Sequence, residues 1–177
     1  MNKESLELSV AEIVSVTGGI LAGSLLAILT DKLFVIPGLL VLMPGFLEMR
    51  GNIFGSLAAR ISTGLHLGSI DKNKRFSTPI IQNTIASFIL SVLVSLILGI
   101  IAYFAISLFF KIDNTSIILV SFLASVISSV ILIPITIEST LWLYRHNYDP
   151  NNIIGPYVTT LGDVVSIISL LLAVLLI

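Results

Sequence analysis

Five long apolar runs, at residues 10–29, 33–67, 79–109, 116–143 and 153–176, leave this chain few structures to choose from. A helix rising about 1.5 Å per residue needs about 20 apolar residues to cross a hydrocarbon core about 30 Å thick, and each run is long enough. In lipid the backbone must satisfy its own polar groups, which leaves helices as the form these runs can take. Charged residues make up 11% of the chain, against roughly 25% in soluble domains. The expected fold is all-α: a single domain spanning 1–177, an integral membrane bundle of five transmembrane helices in the cell membrane. The connections at 30–32 and 111–115 are short, so helices one and two, and helices three and four, are expected to be antiparallel neighbours.

Charge sets the expected orientation. Five spans put the N-terminus and the loops 68–78 and 144–152 on one side, with Lys3, Lys72, Lys74, Arg75 and Arg145, while Lys32 and Lys111 lie on the other. The excess of Lys and Arg places the N-terminus in the cytoplasm and the C-terminus outside. No small-residue cleavage pattern follows the first apolar run, so no cleaved signal is expected. A net charge of −1 without a basic run speaks against nucleic acid as a partner, and the absence of cysteine excludes disulfides and thiolate metal sites.

The second run does not read as a plain helix. Pro37, Gly38, Pro44, Gly45 and Gly51 interrupt it, and Glu48, Arg50 and Arg60 lie within it. Proline deletes a backbone bond and kinks a helix. The expectation is a broken second helix whose halves meet between Pro44 and Asn52, with Asn52 and freed carbonyls facing a polar path or helix five.

Asp163 is the one charge in the final run. A carboxylate at that depth costs several kcal/mol, so a functional role with a partner is the default, and the expected partner is a cation. Thr159, Thr160, Asp163 and Ser166 follow spacings of three and four, which places them along one side of a helix that could line a water-filled path. Glu48, Asn52 and Ser56 share a face at spacings of four, continued by Arg60. Glu48 and Arg50 either fix the second helix against its neighbours or, for Glu48, meet an ion directly; both readings stay open. Glu138 lies near the cytoplasmic end of helix four, as an entrance ligand for cations or an interface residue. Ser15, Gly19 and Gly23, then Ser87, Ser91, Ser95 and Gly99, then Ser121, Ser125 and Ser129 form small-residue stripes, expected to pack helices and assigned no chemistry. His66 and His146 stand far apart, and no HExxH, GxSxG or Ser–His–Asp order is present, so an enzyme is not expected.

Pro44, Gly51 and Asn52, followed by Ala58, Arg60, Ser62, Thr63, Gly64 and Gly68, resemble the Pro…Gly-Asn…Ala-x-Arg-x-Ser-Thr…Gly signature of the membrane domain shared by MgtE-type magnesium channels and solute carrier 41 transporters. Asp149-Pro150-Asn151-Asn152, Pro156 and Thr160-x-Gly162-Asp163 resemble that domain's second motif. The resemblance implies a five-helix domain that works as a homodimer, with a pore on the twofold axis and Asp163 binding Mg²⁺. Gly155 stands where MgtE-type channels can offer a pore Asn, with Thr159 and Thr160 contributing hydroxyls instead. The CBS regulatory domains of those channels have no counterpart in the sequence, so their magnesium-sensing gate is not expected to operate in the same way. Mg²⁺ is the expected transported ion, with Mn²⁺ and Co²⁺ as alternatives. A Na⁺- or H⁺-coupled exchanger and a non-transporting scaffold subunit are the other readings, the first favoured by the broken helix.

Overall fold

The computed structural model describes residues 3–33, 36 and 38–177, apart from the side chains of Leu29, Lys32 and Leu33. The sequence readings at Pro37 and at the Lys32 side chain lie outside the described residues. Five helices follow one another: α1 Lys3–Leu33, α2 Leu39–His66, α3 Thr78–Phe110, α4 Ser116–Arg145 and α5 Pro150–Leu176. Four of them, α1, α3, α4 and α5, are long and apolar enough to cross a membrane. The exception is α2, which carries Glu48, Arg50, Asn52 and Arg60 and lies in the middle, packed against α3, α4 and α5. Its neighbours bury one face of it and leave the face with Glu48, Asn52 and Ser56 open.

Local chemistry sets the helix ends. Before α3, Ser77 is extended and Pro79 falls in the first turn, where its missing N–H costs nothing. At α5, Asp149 caps the helix by accepting from the Asn151 N–H at 2.9 Å, and Pro150 follows at the first position, so this helix starts three residues before the apolar run. Beyond α2, Gly68 takes φ +71° and lets the chain double back, with the Ile70 N–H donating to the Gly64 carbonyl at 3.0 Å.

The break expected between Pro44 and Asn52 is absent: α2 is continuous from Leu39 to His66. Pro44 falls in its second turn, where it deletes only the bond to the Leu40 carbonyl. The glycines serve contact instead. A Cβ on Gly45 would lie 3.1 Å from Leu98 of α3, and one on Gly51 would lie 3.2 Å from Thr159 of α5. The irregular backbone comes earlier, at Gly38, with φ +87°. The turn expected at 30–32 is likewise displaced, because Thr30 stays helical and donates its hydroxyl to the Leu26 carbonyl at 2.8 Å.

Helices α3 and α4 are antiparallel neighbours as expected, closed by a serine seam: Ser121 donates to the Ser95 carbonyl at 2.6 Å and Ser125 to the Ser91 carbonyl at 3.1 Å. Helix α1, however, runs along α5 and not along α2. A connection a few residues long ties the ends of two helices without aligning their lengths. What aligns α1 is a socket at Gly18, where a Cβ would overlap the Thr160 methyl, together with a 2.9 Å hydrogen bond from Thr160 to the Ser15 hydroxyl. At its start, Glu7 accepts from Asn152 at 3.1 Å.

Candidate functional site

The close crossing of α2 and α5 builds the site. Gly51 lets the Thr159 side chain approach α2, and a Cβ on Gly162 would lie 3.6 Å from that of Arg50, so the two backbones meet just beside Asp163. Since the helices are antiparallel, the stripe Glu48–Asn52–Ser56 on α2 lies alongside the stripe Gly155–Thr159–Asp163 on α5. Between them is a hollow of about 280 Å³ lined by Pro44, Leu47, Glu48, Gly51, Asn52, Thr159 and Asp163. Glu48 and Asn52 are exposed on the side of the bundle, and Asp163, half-buried, stands at the middle of the 27-residue α5.

Polar groups here satisfy one another only in part. Asn52 Nδ2 donates to Glu48 Oε1 at 3.2 Å, and Thr159 Oγ1 donates to the Gly155 carbonyl at 3.1 Å. Asp163 has no hydrogen bond and no ion pair among the described residues. Two carboxylates thus share one hollow with no cationic side chain on its wall, an arrangement that a cation stabilises and its absence does not. Among the described residues no three acidic, His or Cys side chains gather as a metal-binding group.

The structure brings Glu48, Asn52, Thr159 and Asp163 together. Gly155 lies one turn from Thr159 on the same stripe, with open space where a side chain would be. Thr160 does not join them: its hydroxyl and methyl point at α1, because one residue turns the helix by about 100°. Ser166 continues the stripe one turn beyond Asp163 but is buried and does not line the hollow. Glu138 is also elsewhere, in an ion pair with Arg75 of the 68–78 loop at 2.9 Å. Arg60 donates to the Ser87 hydroxyl at 3.2 Å and so ties α2 to α3.

Arg50 fastens α2 to its neighbours, the role the sequence reading gave it, though the sequence did not say which groups would receive it. It is 0% exposed, and its Nη1 donates to Ser91 of α3 and, at 3.1 Å, to Ser129 of α4. The guanidinium carbon lies 4.6 Å from the Phe46 ring centroid and 5.6 Å from that of Phe54. The four-residue spacing of Phe46, Arg50 and Phe54 was the available signal, and the serine stripes were its other half.

Four helices long and apolar enough to cross a membrane, beside a polar, carboxylate-bearing hollow, fit a membrane protein. Residues 43–173 match the family model of MgtE, described as a divalent cation transporter, and the chain belongs to that family. No solved structure matches the chain significantly.

Proposed function

We propose that two copies of this chain pair through the open faces of α2 and α5 and conduct hydrated Mg²⁺ along the twofold axis, with Asp163 as the central ligand. The observation that carries this reading is the hollow itself: it is polar and opens on the flank of a bundle that otherwise exposes many large apolar side chains. Facing lipid, a mid-membrane carboxylate costs about 3 kcal/mol on insertion scales, and the hollow holds two. A second copy removes that cost by replacing lipid with water and a matching polar wall. The α2 face continues past Asn52 with exposed Ser56 and Thr63 towards the end of the bundle that bears Lys3, Lys72 and Arg145. That end is the cytoplasmic one in this reading, and the C-terminus is outside.

In the paired pore, Mg²⁺ keeps most of its octahedral water shell. The Asp163 carboxylates attract it, while Glu48, Asn52 and the Thr159 hydroxyl hydrogen-bond to its waters. Such contact through water binds firmly enough for entry and loosely enough for exit. The continuity of α2 removes the feature that favoured a coupled exchanger, so uncoupled conduction is the reading kept.

The test is Mg²⁺ flux into proteoliposomes. Asp163→Asn keeps shape and loses charge, and flux should fall at least about tenfold, the equivalent of about 1.4 kcal/mol. Asp163→Glu should keep part of the activity. Wild-type flux in folded Asp163→Asn would refute the central-ligand role.

A further inference from the structure

Arg50 brings a full positive charge into the dry interior, and no described carboxylate pairs with it. Its Nε and Nη2 have no hydrogen-bond partner among the described residues either. Two serines could be served by a neutral side chain, and a buried charge without a counter-ion carries a desolvation penalty of several kcal/mol that two hydrogen bonds and two ring faces offset only in part. Packing alone therefore does not account for an arginine at this position.

Its surroundings supply a reason. Arg50 lies two residues after Glu48 on α2 and meets the α5 backbone at Gly162, the residue before Asp163. The guanidinium points away from the hollow, into the α3–α4 seam, so it touches no ion there. A charge in a low-dielectric interior still acts across the width of a helix, because Coulomb energy falls only as the inverse of distance and protein screens it less than water. Each copy thus presents two carboxylates backed by one guanidinium, one net negative charge. Two copies present two, and one divalent cation cancels them.

The geometry points to Arg50 as a specificity-determining residue, whose buried charge matches the paired hollow to a single divalent cation and keeps that cation from being held too tightly to leave. This inference rests on the paired-pore reading. Without the positive charge the hollow would carry four uncompensated carboxylates, bind Mg²⁺ more tightly and release it more slowly.

Mg²⁺ flux in proteoliposomes, measured against Mg²⁺ concentration, tests it. Arg50→Met should lower the half-saturating concentration about tenfold and lower maximal flux with it. Adding Glu48→Gln to Arg50→Met restores the net charge and should return half-saturation towards the wild-type value. Arg50→Lys keeps the charge and loses the planar fork, so half-saturation should stay within about threefold of wild type even where maximal flux drops. Should Arg50→Met not fold, Ser129→Asp sets a carboxylate against the guanidinium, neutralises it in place, and should lower half-saturation in the same way. Variants that lose flux at unchanged or raised half-saturation would overturn the assignment and leave Arg50 a packing residue. Normal flux in Asp163→Asn would instead overturn the pore reading, so the two failures are distinguishable.

Discussion

Gly51→Ala should separate stability from transport. The new methyl would lie 3.2 Å from Thr159 Oγ1 and 3.5 Å from Thr159 Cγ2, so the Thr159 hydroxyl has to give by a few tenths of an ångström. That displacement weakens its 3.1 Å bond to the Gly155 carbonyl, a net loss of at most about 1 kcal/mol. Alanine in a helix interior is worth about 1 kcal/mol over glycine, so the two effects nearly cancel and stability should change by less than about 1 kcal/mol. Volume does not decide the outcome. A methyl takes roughly one water's share, about 30 Å³, and an ion with six waters needs about 180 Å³, which the hollow of about 280 Å³ still holds. The loss comes from the displaced hydroxyl, and Mg²⁺ flux into proteoliposomes should fall about threefold to tenfold, on the order of 1 kcal/mol. Thermal unfolding in detergent, measured in parallel, should barely move. Wild-type flux in a stable Gly51→Ala protein would refute the hollow as the ion path. A loss of more than about 3 kcal/mol in stability would show instead that the backbones of α2 and α5 jam at this point.

Three further outcomes are expected. Gly18→Ala should loosen α1 from α5 by about 1–3 kcal/mol, since the added methyl overlaps that of Thr160; Thr160→Ser, which keeps the hydroxyl bonded to Ser15, should restore the melting temperature, and a lack of rescue would place the strain elsewhere. The chain has no cysteine, so single-cysteine variants report cleanly: Ser56→Cys should cross-link between copies under oxidant, and Lys72→Cys should label only from the cytoplasmic side. Monomers that conduct, or outside labelling of Lys72→Cys in intact cells, would overturn the pairing and the orientation respectively.

What the sequence made legible was local. Pro79 in the first turn of α3, and Asp149 with Pro150 at α5, mark helix starts with groups that act within a few residues. Asp163 stood out because a charge in an apolar run has to be accounted for, and Glu48 and Asn52 shared a face because four residues make about one turn. What stayed illegible depended on neighbours. Pro44, Gly45 and Gly51 read as breakers, yet the missing Cβ atoms of the two glycines serve close approach once Leu98 and Thr159 lie opposite. Thr160 and Thr159 are adjacent in sequence and face different helices, and spacing alone does not say which helix fills which face. Glu138 is paired with Arg75, which lies on a loop between two other helices and so leaves no periodic trace.

The serine seam between α3 and α4 has a consequence for how the protein is made. Each seam hydroxyl finds its acceptor within that hairpin, so α3 and α4 can enter the bilayer as a satisfied pair before anything else docks. The least apolar helix, α2, is different: Arg50 finds its acceptors, Ser91 and Ser129, only where the two seam helices already meet. Insertion then has an order written into it, with α2 waiting at the membrane or dipping in transiently until α3–α4 has closed behind it. In a glycosylation-mapping assay, α2 with its preceding helix should integrate poorly alone and well when α3–α4 is appended. Efficient integration of α1–α2 alone would remove the need for that order.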